Sequence, residues 1–155
     1  MDNTLIATII LGSVGIAITA YYSLHTKKIA DEQMLKQLFT EFNQRYDILN
    51  NYLILIAQDY PTIDLLNQAK NSRELKQKVI DYFSLCAEEF YWYYHKKRID
   101  SLIWKSWQSG MNYWYNEVPT IKALWDEEIK INGKESYYIN NHLEFFIESK
   151  NRTKS

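Results

Sequence analysis

The sequence predicts an all-α protein, a single N-terminal transmembrane helix followed by an antiparallel helical bundle or hairpin domain. Three observations lead there. No residue from Asn3 to Thr26 carries a full charge. Neither glycine nor proline interrupts the chain between Ile16 and Tyr60. Further along, large apolar residues recur at steps of three and four, the period of a helix face. The expected division is an anchor over residues 1–26, a cytoplasmic helical domain over 27–149 and a disordered basic tail over 150–155.

The anchor rests on TLIATIILGSVGIAITAYYSL, Thr4 to Leu24. At about 1.5 Å per residue this run extends roughly 32 Å as a helix, enough for a hydrocarbon core of roughly 30 Å. Tyr21 and Tyr22 fall where an aromatic belt meets lipid headgroups, and Lys27 and Lys28 follow at the interface. A cleaved secretory signal is the competing reading, because Ile18-Thr19-Ala20 resembles a small-residue cleavage site. The run lacks a basic n-region, however, and is long for an h-region. A buried core helix fits so long an uncharged stretch poorly. Lysines follow the run and none precedes it, so the positive-inside rule places the N-terminus outside and the C-terminal bulk in the cytoplasm, at the inner membrane of a cell. The single Cys86 suits a reducing compartment.

Helix can continue from the anchor through Tyr60, with Leu35, Leu38, Phe42, Leu49, Tyr52 and Ile56 as its apolar stripe, as one rod or with a slight bend near Ser23 to Lys27. Pro61 ends it. Thr62 to Ala69 reads as a short helix, and Asn71 with Glu74 as a capping box for the next. That helix runs to about Lys97, with Val79, Phe83, Cys86, Phe90 and Tyr93 on its core face. Asp100 caps a third, whose Trp104, Trp107, Met111 and Trp114 form a bulky seam beside Gly110, where a neighbouring backbone is expected to come close. Pro119 opens a fourth helix over Thr120 to about Ile129, carrying Leu124 and Trp125 inward, and Asn132-Gly133 marks a turn. After it, pairing of Tyr137 to Ile139 with Ile129 to Ile131 competes with a last helix over His142 to Glu148, and the helix is the better reading.

Five consecutive aromatic residues, Phe90 to Tyr94, stand in EEFYWYYHKK. Most of that mass reads as core packing, while Tyr91 and Trp92 flank the stripe and are the candidate partner surface. Glu88 points to solvent. Glu89, at the margin of the stripe, reads as a buried structural carboxylate that bonds a Tyr or Trp of another helix or pairs with Lys or Arg.

Catalytic spacings are missing. Four glycines build no phosphate loop, and His25, His95 and His142 form no HExxH or ExxH pair, so no catalytic, cofactor-binding or metal residue is assigned. Cys86 reads as a small core residue. Removing Asp2 from the 19 acidic residues leaves 18 against 18 basic ones, a balance that disfavours nucleic acid as a partner. Small residues four apart in the span, Thr8 with Gly12 and Ser13 with Ala17, permit self-association.

The segments LFTEFNQRYDILNNYL, YFSLCAEEFYWYYHKKRID and IWKSWQSGMNYW resemble a group of uncharacterised bacterial proteins with one N-terminal membrane helix and an aromatic-rich helical domain. The likeness spans about Leu38 to Trp125. It implies a bacterial, membrane-anchored, all-helical protein, and brings neither an activity nor functional residues. The expectation is therefore a non-enzymatic interaction, scaffold or sensing module whose partners are the bilayer and a protein or a second copy of itself. A membrane-acting defence or toxin-like effector is the alternative, and an enzyme with an unrecognised helical site the third reading.

Overall fold

The structure, a computed structural model, describes residues 2–140 and 144–147, and within residues 3–11 the backbone alone. Its regular elements are all helical: α1 (Asn3–Asp59), α2 (Ile63–Gln68), α3 (Ser72–Phe90), a π-helical turn (Tyr91–His95), α4 (Ser101–Glu117), α5 (Pro119–Asn132) and a 3-10 turn (Lys134–Tyr137). The chain divides into two compact units, Met1–Thr40 and Glu41–Ser155.

The first unit is the N-terminal part of α1. Every residue from Gly12 to Ala30 is exposed, including Val14, Ile16, Ile18, Tyr21, Tyr22 and Leu24. Thr19 turns its hydroxyl back onto the Gly15 carbonyl at 2.9 Å, satisfying the side chain within the helix. Tyr21 and Tyr22 meet edge to face, and Lys28 pairs with Glu32 one turn on. Among the described residues, no helix is long and apolar enough to cross a membrane; described side chains of α1 begin, after Asp2, at Gly12.

The second unit is a bundle of short helices around aromatic residues. From α1, Phe42, Leu49, Leu53 and Ile56 enter the core, at steps of seven, four and three that keep one face. Leu53 takes the place expected of Tyr52, which is half-buried. The backbone of α1 stops before Pro61, and Thr120 at the start of α5 donates its hydroxyl to the Tyr60 carbonyl at 2.6 Å. Thr62 caps α2, accepting from the Leu65 amide. Along α3, Val79, Phe83, Cys86 and Phe90 are buried as read from the sequence, and Leu75 and Tyr82 join them. Its expected capping box does not form, because the Asn71 side chain bonds no helix amide. Asp100 does cap α4, accepting from the Leu102 amide at 2.7 Å.

Three expectations need correction. The α-helical part of α3 ends at Phe90 rather than near Lys97, and a wider turn follows in which the Lys96 amide reaches back to the Tyr91 carbonyl. There Tyr93 is half-buried and lies parallel to Trp104 at 4.8 Å, while Phe90 reaches the same indole at 5.8 Å. At Gly110 no backbone approaches: a Cβ there meets nothing within 4 Å, since the glycine borders an open cleft. The hairpin alternative fails because Ile129 to Ile131 belong to α5, which Gly133 ends with a positive φ of 77°.

The last helix is absent over residues 144–147, a segment without helical hydrogen bonding. Its backbone is held instead by side-chain amides of α4: Gln108 donates to the Phe145 carbonyl at 3.3 Å, Asn116 to the Ile147 carbonyl at 3.0 Å, and the Ile147 amide donates to Asn112 Oδ1 at 2.8 Å. Spaced by four, those amides lie along one face of α4. Adjacent residues on a helix point about 100° apart; freed from that geometry, Phe145 and Phe146 are both buried. Phe146 stacks on Tyr115 at 5.0 Å and meets Trp125 edge to face at 4.9 Å. His142, Glu148 and the expected tail over 150–155 lie outside the described residues.

Candidate functional site

Within the second unit, α1, α3 and α4 leave a cleft of about 170 Å³ between them. Asn43 and Tyr46, one turn apart on α1, form one wall. Tyr82 and Glu89 come from α3, seven residues apart and therefore on the same face. Ser106, Trp107, Gly110 and Met111 line it from α4. The missing side chain at Gly110 helps to keep this space open.

Two polar groups in the cleft are unusual. Tyr82 is almost wholly buried, yet among the described residues its hydroxyl has no hydrogen bond of good geometry. The neighbouring Cys86 thiol offers it at most a weak sulfur contact. Burial first, and then that neighbour, push the Tyr82 hydroxyl well above its ordinary range. Glu89 is 6% exposed and, among the described residues, has no ion pair of its own. Burial pushes its carboxyl up to about 8, with Arg45 pulling the other way and Glu88 adding to the rise. A carboxyl in that position holds its proton at neutral pH.

Arg45 explains why. Its guanidinium grips Glu88 with both nitrogens, at 2.5 and 3.0 Å, and lies 3.8 Å from Glu41. This two-pronged pair raises the Arg45 pKa and consumes the arginine's geometry on the neighbour of Glu89. Glu88, expected to point freely into solvent, is thus a half-exposed ion-pair partner. Glu89 is buried as expected but holds neither the arginine nor a Trp N–H. The nearby indole of Trp114 donates to the Tyr46 hydroxyl at 3.1 Å instead, leaving the Tyr46 proton free to point elsewhere.

The other sequence-assigned residues lie away from this cleft. Tyr91 and Trp92 sit in the π-helical turn, both half-buried; Tyr91 is covered by Tyr138 at 4.8 Å, with Lys96 over its ring at 5.4 Å. More exposed in the second unit are Tyr94, Leu102 and Tyr113, none singled out by the sequence reading. Tyr21, Tyr22, Lys27 and Lys28 are exposed on α1 in the first unit. Cys86 is buried beside Glu89, and burial raises its thiol well above the reactive range. Among the described residues no three His, Cys, Asp or Glu side chains gather as metal ligands. Sequence reasoning missed Asn43, Tyr46, Tyr82 and Ser106. The signal available was the spacing of Tyr82, Cys86 and Glu89 by four and three, which puts the carboxylate on the core stripe itself rather than at its margin.

Comparison with protein-family models, curated proteins and solved structures finds no match for the chain. The functional reading therefore rests on geometry and sequence.

Proposed function

We propose that the chain is a single-pass membrane-anchored, non-enzymatic helical protein that recruits or senses a partner at the inner face of a bacterial membrane, its N-terminus outside and its helical bundle in the cytoplasm. The observation that carries this reading is the conjunction of an uncharged run from Thr4 to Leu24 with full exposure of its side chains from Gly12 onward. Water does not favour a helix that is apolar on every side, and lipid does. Support also comes from Thr19, whose hydroxyl is satisfied inside the helix, and from tyrosines and lysines in the order an interface asks for. The absence of catalytic spacing favours binding over chemistry.

Fractionation tests it. The intact protein is expected in the membrane pellet after alkaline carbonate extraction, released only by detergent. A protease added to right-side-out spheroplasts is expected to leave the bundle uncut, and added to inverted vesicles to reach it. Recovery of the intact chain in the detergent-free supernatant overturns the proposal.

A further inference from the structure

We infer that the cleft between α1, α3 and α4 binds a small primary amine in its ammonium form, with Glu89 as counter-ion and side-chain oxygens of Tyr46, Asn43 and Ser106 as further acceptors. The site lies wholly within residues 41–155 and is independent of how residues 1–40 meet a membrane.

The cleft itself supplies the first reason. Its volume of about 170 Å³ is slightly larger than a 150 Å³ cavity known to hold benzene in another protein, so the space suits a ligand of roughly six to eight heavy atoms. The second reason is the character of the lining. Glu89, Tyr46, Asn43 and Ser106 all offer oxygen acceptors, and no Lys, Arg or His lines the cleft. A ligand rich in N–H donors fits that set. The aromatic walls of Tyr46 and Trp107 and the thioether of Met111 suit a cation with an apolar body. An anion would find no cation in the lining and would face Glu89, and a metal ion would find a single carboxylate.

Charge gives the third reason. Arg45 and Glu88 neutralise each other, so ionised Glu89 would leave one uncompensated negative charge in the cleft. The groups that face Glu89 are Arg45 and Tyr46 from α1 and Tyr82, Cys86 and Glu88 from α3; α4 brings only uncharged residues. Empty of ligand, Glu89 holds a proton at pH 7. When an ammonium enters, its positive charge stabilises the carboxylate, the Glu89 proton leaves for solvent, and the ion pair remains: one cation is taken up and one proton released.

Calorimetry on the full chain in detergent micelles, with benzylamine as ligand, tests this. The expected results are release of close to one proton per ligand at pH 7, read from heats in buffers of different ionisation enthalpy, and an affinity that rises about tenfold from pH 6 to pH 7. Glu89→Gln should weaken binding at least about tenfold and abolish proton release, and benzyl alcohol, which lacks the charge, should bind at least about tenfold more weakly than benzylamine. Gly110→Leu, which keeps Glu89 and whose Cβ has free space, should fill the cleft and remove binding while preserving the helical circular dichroism. If Glu89→Gln does not fold, Gly110→Leu and benzyl alcohol decide. Equal binding of the alcohol, binding that survives Gly110→Leu, or no heat from either benzylamine or n-butylamine up to about 10 mM overturns the inference.

Discussion

Residues 12–30 of α1 and residues 72–90 of α3 are both regular helix, yet the first has every side chain exposed and the second buries nine, from Leu75 to Phe90. Both are rich in apolar residues; what separates them is where the charges fall. In α3 the charges other than Glu89 lie off the buried stripe, so the helix has an inside and an outside. The first part of α1 has no charge to break its symmetry until Lys27, which is the feature the proposed membrane anchor rests on. Helicity is common to both regions, and the angular placement of charge decides which surroundings each can accept.

Substitutions can sharpen that contrast. The largest effect is expected at the aromatic plug: Phe146→Ala removes contacts to Phe83, Tyr115 and Trp125 and should cost about 3–5 kcal/mol in urea unfolding. An unfolding midpoint close to wild type would mean that residues 144–147 do not close the core. In the other region, Ile16→Arg puts a charge near the middle of the uncharged run, where insertion into lipid should become about 2.5–3.5 kcal/mol less favourable. Carbonate-resistant protein should fall sharply. The urea midpoint read by tryptophan fluorescence should stay put, because all five tryptophans lie beyond residue 40.

Glu89 gives a pH-dependent comparison. Its folded pKa is raised to about 8 from an ordinary carboxyl value of 4.5, so between those values the folded state holds a proton that the unfolded state has lost. Stability should therefore fall as pH rises through this window, by at most about 1.4 kcal/mol per unit, and level off above it. Glu89→Gln should flatten the curve and be the more stable protein at pH 8.5. A wild-type curve that rises from pH 5 to 8 would show Glu89 ionised and paired. The smallest expected change is a gain: Gly110→Ala, with free space for its Cβ inside α4, should stabilise by about 0.5–1 kcal/mol.

Much of the bundle is legible in the sequence because it is local. Phe42, Leu49 and Ile56, then Val79, Phe83, Cys86 and Phe90, then Trp104, Met111 and Trp114, are spaced by the helix period, and the structure buries all of them. Pro61, Asp100 and Pro119 mark boundaries by backbone chemistry that needs no tertiary context. The cleft is a different matter. Whether Arg45 takes Glu88 or Glu89 depends on how α1 lies against α3, and a one-residue difference decides which carboxyl stays unpaired. Phe145 and Phe146 were misread for a related reason: the partners that let this segment abandon helix are Gln108, Asn112 and Asn116, more than 30 residues away in sequence. Their spacing by four is visible in advance, but an amide ladder on a helix face has several uses.

That late segment also sets an order of events during synthesis. Phe145 and Phe146 leave the ribosome after all five helices, so the faces of Phe83 and Trp125 that they cover stay open until then. For that interval the nascent bundle presents a sticky aromatic floor, a target for chaperones or for another growing copy, and only the arrival of two adjacent phenylalanines seals it.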